Sequence, residues 1–246
     1  TGGIGVLGHG HNHPRIIEQR KKFQEKKRME VHKNYFSPYM AALSHNIAQL
    51  MPGDLNFSFF CNSGAESVEG AIKLAYKYHN GKRKTILHSN ISFHGKLLGS
   101  ASVTASKEVY FKYPQIPNTD SFEYGNINSI KEKIQNHKIK SGNSDIYALI
   151  IEPFQTLTVN QCDSEFLIQL QKICNDNDIV LIFDEVYTGW YKTGPLFNFM
   201  RTDVLPDIVT TSKSLGGGKA SISAYTSREN ILKKAYGNTR DALLHT

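Results

Sequence analysis

The sequence predicts an α/β fold, a mostly parallel sheet sandwiched between helices. Three observations carry this reading. Short, continuously apolar runs recur along the 246 residues. Segments with helical spacing of apolar residues stand between them. The runs do not alternate apolar with polar, so both faces of the sheet should be covered. In such sheets ligands collect at the carboxyl ends of the strands, so the chemistry should lie there.

Asn56 to Phe60 reads as the first strand and ends in the turn Asn62-Ser63-Gly64. From Ala65 to Tyr78, the residues Val68, Ala71, Ile72 and Ala75 fall on one face of a helix. Thr85 to His88 is a second strand, and Ile146 to Ile151 a third, wholly apolar or aromatic. A helix begun near Ser164 presents Phe166, Leu167, Leu170, Ile173 and Cys174 on one face. Ile179 to Phe183, Ile208 to Thr211 and Ile222 to Tyr225 complete the strands. The 29-residue step from Asp184 to Lys213 leaves room for a helical crossover between neighbouring strands.

Composition narrows the function classes. Apolar residues make 39% and charged residues 21%, which fits a globular domain and not a disordered or fibrous chain. No run approaches the roughly 18 apolar residues of a membrane helix, so no membrane role is expected. Net charge is +7, and residues 15–33, with eight Lys/Arg against three Asp/Glu, supply most of it. Only Phe23 interrupts those charges, so a solvated helix face is expected and a nucleic-acid surface is not. Cys61, Cys162 and Cys174 have no CxxC spacing, which points to a reducing compartment, the cytoplasm. The chain begins with Thr and ends at Leu-Leu-His-Thr, and reads as a piece of a longer protein, so a targeting segment is not legible.

Three motifs mislead. Gly3-Ile4-Gly5-Val6-Leu7-Gly8 spells GxGxxG, but the dinucleotide fingerprint needs a preceding strand, and only two residues precede it. His9, His11 and His13 alternate like metal ligands, yet sit in a Gly/Asn/Pro turn without a nearby Cys or carboxylate, so no metal is expected. Val180 to Glu185 resembles the acidic strand end of a nucleotide hydrolase. The three Gly-Lys pairs are followed by Arg83, Leu97 and Ala220, so no phosphate loop accompanies it.

Four segments at strand ends survive, and each supplies something that pyridoxal 5'-phosphate needs. The turn Ser63-Gly64-Ala65 opens a helix, whose N–H groups and dipole suit a phosphate. Taken alone it is equally an ordinary helix cap. Phe93, before His94 and Gly95, can stack on a planar ring. Asp184 at a buried strand end can hold a pyridine nitrogen protonated, and Val186 would share its side of the strand, opposite Phe93. Lys213, between a strand and three glycines, is placed for partial burial, and a neutral amine can react with an aldehyde.

The resemblance is then specific. LGHGHNHP (7–14), NYFSPYMAAL (34–43), FFCNSGAESVEGAIKLAYKY (59–78), SFHGKLLGS (92–100), ALIIEPFQ (148–155), LIFDEVYTGWYKTGPLF (181–197) and PDIVTTSKSLGGG (206–218) run in order. The chain resembles the class III pyridoxal-phosphate-dependent aminotransferases, which include the ornithine, 4-aminobutyrate and putrescine enzymes. The resemblance implies a fold type I large domain over residues 46–246, with residues 1–45 belonging to a small domain and its link. It implies a transaminase that takes an amino donor and a 2-oxo acid, and a homodimer with shared active sites. Lys213 resembles the Schiff-base lysine, Asp184 the partner of the ring nitrogen, and Ser63, Gly64 and Ala65 the phosphate turn. Phe93 and His94 resemble the stacking segment, Val186 the residue on the other ring face, and Glu152 the acid that restrains a substrate-site arginine.

The departures fall on the substrate side. Tyr187 stands where many members have a Gln on the ring hydroxyl, and a phenol can hydrogen-bond there too. Gly189-Trp190-Tyr191-Lys192-Thr193-Gly194 replaces Gly-Phe-Gly-Arg-Thr-Gly, and Thr156 replaces a Gly. Members also run on past residue 246, where a threonine reaches the neighbouring subunit's phosphate and a C-terminal domain binds carboxylate. Aminomutases, racemases and decarboxylases use the same scaffold, and a non-catalytic fragment is the remaining alternative.

Overall fold

The computed structural model describes residues 2–27, 36–105, 112, 114–139, 142 and 144–237. Residues 28–33 of the basic run and 34–35 of the second motif lie outside the described residues. Helices α1 (Pro14–Glu25) and α2 (Pro38–Leu50) precede β1 (Leu55–Cys61) and α3 (Gly64–Tyr78). Then come β2 (Thr85–Ser89), the short α4 (Leu98–Ser102), β3 (Thr119–Phe122), α5 (Ile127–Asn136) and β4 (Ile146–Ile151). A two-stranded ribbon, β5 (Phe154–Gln155) with β6 (Asn160–Gln161), leads into α6 (Ser164–Asp176) and β7 (Val180–Asp184). The described chain closes with β8 (Ile208–Thr211), β9 (Ser223–Arg228) and α7 (Glu229–Tyr236).

Seven strands form one sheet in the order β1-β9-β8-β7-β4-β2-β3. Strand β9 runs antiparallel to both neighbours, and the pairings from β8 to β3 are parallel. Neighbouring residues on one strand enter opposite cores, as the two-residue period of a strand requires. Leu87, Leu149, Leu181, Phe183 and Val209 pack with Ile130 and Ile134 of α5 and Phe166, Leu167 and Leu170 of α6. Ile86, Ala148, Ile150, Ile182 and Ile208 pack with Val68, Ala71 and Leu74 of α3 and Ile231 of α7. At Gly70, α3 approaches β9 so closely that a Cβ would lie 2.1 Å from Tyr225 Cε1. This is the sandwich that the apolar runs imply.

Two expectations are corrected. The connection from β7 to β8 contains no α-helix, only a 3-10 turn at Asn198–Arg201 whose Phe199 is buried beside Phe183 and Phe197. A loop suffices there because aromatic rings, rather than a helix, cover that part of the sheet. Strand β7 also ends at Asp184, so strand alternation does not orient Val186. A turn does: the Val186 N–H donates to Asp184 Oδ1 at 3.0 Å. Helix α1 has no buried residue, which agrees with a solvated face over the described part of the basic run. Among the described residues, no helix is long and apolar enough to cross a membrane, and the three cysteines are buried and form no disulfide.

Candidate active site

The carboxyl ends of β4, β7 and β8 bring Glu152, Asp184 and Lys213 together. Asp184 is the last residue of β7 and is buried. Its Oδ1 accepts from the Thr210 hydroxyl at 2.9 Å and from Val186 N–H, and its Oδ2 lies 2.7 Å from His94 Nδ1. A carboxylate only accepts, so the proton of this contact sits on Nδ1. That leaves His94 Nε2 buried with no partner among the described residues. The His94 N–H donates to Thr104 Oγ1 at 3.0 Å, which anchors the segment after β2.

Glu152 follows β4 directly and is buried. Its Oε2 accepts from the Phe93 N–H at 2.9 Å and from Gln155 Nε2 at 3.3 Å. Burial pushes its carboxyl up to about 7; His94 pulls it down and Asp184 pushes it further up. Its neighbour in sequence to Asp184, Glu185, is also buried and pushed up to about 7 by burial, and it accepts from the Phe199 N–H at 2.9 Å.

The turn after β1 is shaped by a capping box. Ser63 Oγ accepts from Glu66 N–H at 3.3 Å, and Glu66 Oε2 accepts from the N–H groups of Ser63 at 3.1 Å and Asn62 at 2.6 Å. The Ser63 N–H is taken, and Gly64 and Ala65 supply the N–H groups of the first turn, which lack helical partners. A Cβ on Gly64 would lie 2.7 Å from Val186 Cγ1, and one on Gly95 would lie 2.8 Å from Ala65 Cβ. Glycine at 64 and 95 therefore lets the β1–α3 turn, the segment after β2 and the segment after β7 meet. Phe93 is 37% exposed on this side of the sheet.

Lys213 opens a 3-10 turn, Lys213–Gly216, with φ +43°. That left-handed backbone is uncommon for a residue with a Cβ and occurs where surroundings enforce it. Burial lowers the pKa of its amine, against the attraction of Asp184 and Glu152. Its Nζ lies 4.7 Å from the centre of the Tyr187 ring. The N-terminal glycine segment packs on the same turn. A Cβ on Gly8 would lie 2.6 Å from Ser214 Oγ, and one on Gly218 would lie 2.3 Å from Leu7 Cδ2. The GxGxxG stretch precedes no helix of its own, since α1 begins at Pro14. Among the described residues no group of three or more His, Cys, Asp or Glu is placed to hold a metal ion.

The arrangement fits a planar, phosphate-bearing aromatic aldehyde. It combines a buried carboxylate, a glycine cradle at a helix N-terminus, an aromatic flank and an amine with lowered basicity. Thr210, Lys192 and Ser214 escaped the sequence reading. A threonine in a strand carries no signal, whereas Lys192 was visible only as a departure from a motif.

Residues 1–240 match the family model for class-III aminotransferases. Among solved structures, the chain is similar to a transaminase from the marine bacterium Virgibacillus. The two are 25% identical with a TM-score of 0.84, over 94% of this chain and 55% of that one. It is also similar to an (S)-enantioselective omega-transaminase from Thermomicrobium roseum, at 26% identity and TM-score 0.86, over 97% and 58%. The ornithine aminotransferase of Toxoplasma gondii matches at 25% identity and TM-score 0.82, over 94% and 55%. A further structure of that enzyme carries PLP at partial occupancy in its active site. The chain thus spans a little over half the length of these relatives.

Proposed function

Because the chain belongs to the class-III aminotransferase family, we propose that it is the cofactor-holding part of a pyridoxal-phosphate-dependent transaminase. The reaction moves an amino group from an amine or amino acid to a 2-oxo acid, leaving an oxo product. The observation that carries the reading is the placement of Asp184 and Lys213. Asp184 ends β7, and Lys213 stands three residues beyond its register partner Thr210 on β8.

The Gly64 and Ala65 N–H groups would hold the phosphate, Phe93 and Val186 would flank the ring, and Asp184 would face the ring nitrogen. When bound, pyridoxal phosphate supplies the electron sink that makes loss of a proton from the amine-bearing carbon feasible. The chain's own residues do the rest. His94, Thr210 and the Val186 N–H fix the Asp184 carboxylate, so its charge needs no rearrangement during turnover. Lys213 Nζ accepts the proton from the donor carbon and later returns one, and its lowered basicity suits both directions. The Glu152 carboxyl, its Oε2 tied to the Phe93 N–H, positions the stacking segment.

We extend the proposal to a homodimer with shared active sites, to residues 1–45 as a small-domain segment joined to the 46–246 unit, and to a cytoplasmic location. The deciding experiment is borohydride reduction of the cofactor-loaded full-length protein followed by peptide mapping. The label is expected on Lys213; a label on another lysine refutes the assignment.

A further inference from the structure

Four hydrogen bonds run in series from helix α3 to the Asp184 carboxylate. Glu69 stands on α3, whose first turn carries Gly64 and Ala65. Its Oε1 accepts from the Ser100 N–H of α4 at 2.7 Å. The Ser100 carbonyl accepts from the Thr104 hydroxyl at 3.0 Å, with the Gly95 carbonyl a second acceptor at 3.3 Å. Thr104 Oγ1 accepts from the His94 N–H at 3.0 Å, and the His94 ring meets Asp184 at 2.7 Å. Ser100, Thr104 and His94 are buried, so a bond left unmade there carries the desolvation cost of its orphaned group.

Helix α4 draws its acceptor from another helix. Leu97, which precedes it, has no side-chain oxygen to take up a first-turn N–H, and the Glu69 carboxylate does so instead. A Cβ on Gly99 would collide with that carboxylate, and glycine there admits it. The stacking segment also touches α3 directly, since Gly95 packs on Ala65. Phe93 and His94 are thus tied to the phosphate turn twice, by packing at Gly95 and by hydrogen bonds through Thr104 and α4.

We propose that Glu69 and Thr104 are positioning residues, which hold the phosphate turn at a fixed distance from the His94–Asp184 pair. Thr104 acts through the main chain and ring of His94, and Glu69 acts through α4 and Thr104. Their service to the cofactor rests on the reading of the site as a pyridoxal-phosphate cradle. In that ligand the phosphate and the ring nitrogen sit at opposite ends of one small, stiff molecule. A site whose two ends are already tied together binds it without first having to order them.

The test is calorimetric binding of 4′-deoxypyridoxine 5′-phosphate to the full-length, cofactor-free protein. This probe keeps the phosphate and the ring nitrogen and lacks the aldehyde, so its affinity does not depend on the chemistry of Lys213. Thr104→Val keeps the shape of the side chain and removes the hydroxyl. It should weaken the probe about three- to ten-fold, the usual worth of one buried hydrogen bond. Thr104→Ser, which keeps the hydroxyl, should bind as wild type does, and Glu69→Leu should resemble Thr104→Val. In an Asp184→Ala background Thr104→Val should cost nothing further, because its route ends at that carboxylate. Wild-type affinity in Thr104→Val overturns the proposal, as does an equal loss in Thr104→Ser or a full additional loss beside Asp184→Ala. A second measurement needs no ligand. The His94 Nδ1–H, followed by NMR with labelled histidine and identified by its absence in His94→Gln, should exchange with water faster in Thr104→Val and at the wild-type rate in Thr104→Ser. Unchanged exchange in Thr104→Val overturns the route through His94. Should wild type fail to bind the probe, the cofactor reading falls, and the exchange rates alone decide whether Thr104 holds His94.

Discussion

Asp184 and Thr210 are register partners on neighbouring parallel strands, and the Thr210 hydroxyl donates a 2.9 Å hydrogen bond into the Asp184 carboxylate. The backbone pairing that builds the sheet therefore also aims the carboxylate. Asp184→Ala in the full-length protein should leave borohydride labelling of Lys213 intact and lower turnover by about 10²–10³, the usual worth of one charge-stabilising group. Thr210→Val should cost about ten-fold by the same assay, since His94 and the Val186 N–H keep their contacts. Near-normal turnover in Asp184→Ala would show that the ring nitrogen has another partner.

Gly64→Ala is expected to destabilise the chain by about 1–3 kcal/mol through overpacking against Val186. The cause is steric, because the built Cβ lies 2.7 Å from Val186 Cγ1. Val186→Ala in the same molecule should recover most of the loss, and chemical denaturation of the four members of the cycle measures the coupling. Additive effects would mean that the two residues do not meet.

The contribution of Glu152 and Glu185 to stability should fall as pH rises from about 4.5 to 7. Glu152 and Glu185 are raised to about 7 in the fold from an ordinary 4.5. Across that window the native state holds protons that the unfolded chain has released, so raising the pH favours unfolding. The stabilisation is full below 4.5 and lost as pH passes 7. Glu152→Gln should flatten the slope by a few kcal/mol across the window. Denaturation midpoints at pH 5 and 7.5 check this, and a slope identical to wild type would place the raised carboxyl elsewhere.

A polypeptide of residues 1–246 alone should capture the cofactor weakly and complete no transamination. It covers 55% to 58% of the length of the similar transaminases. Correct orientation of a reacting bond contributes several kcal/mol, and the resemblance assigns part of that to segments beyond residue 246. A stopped assay for oxo-acid product, with the full-length protein as control, decides it. Turnover near the full-length rate would show that the site is complete within these residues.

Apolar runs made most of the sheet legible. The strands expected at 85–88, 146–151, 179–183 and 208–211 lie within one or two residues of those observed. Strand β3, Thr-Asp-Ser-Phe, was invisible because an edge strand needs no apolar run; only Phe122 is buried. The reversal of β9 was equally silent, since direction and order depend on contacts distant in sequence. Helix α5 could have been read from Ile127, Ile130 and Ile134, which share a helical face. At the site, the lysine, the aspartate and the glycines announced themselves through their strand-end positions. The place of Tyr187 beside the Lys213 and Lys192 amines was not legible, because Gly5, which packs on its ring, comes from the N-terminal segment, far away in the chain.

The reversed strand has a further consequence, for the order of assembly. Among the described residues β1 pairs only with β9, and the Ser63 carbonyl accepts from Ser223 Oγ, 160 residues later. During synthesis the glycine turn at the start of α3 emerges early, yet its strand has no neighbour until residue 228 has been made. Closing so long a loop is entropically slow, and such non-local pairings delay folding. A nascent chain would therefore leave β1, with Phe57 and Phe59, without its sheet partner until β9 has been made. Chaperone dependence should accordingly track the synthesis of β9 rather than that of the central parallel strands.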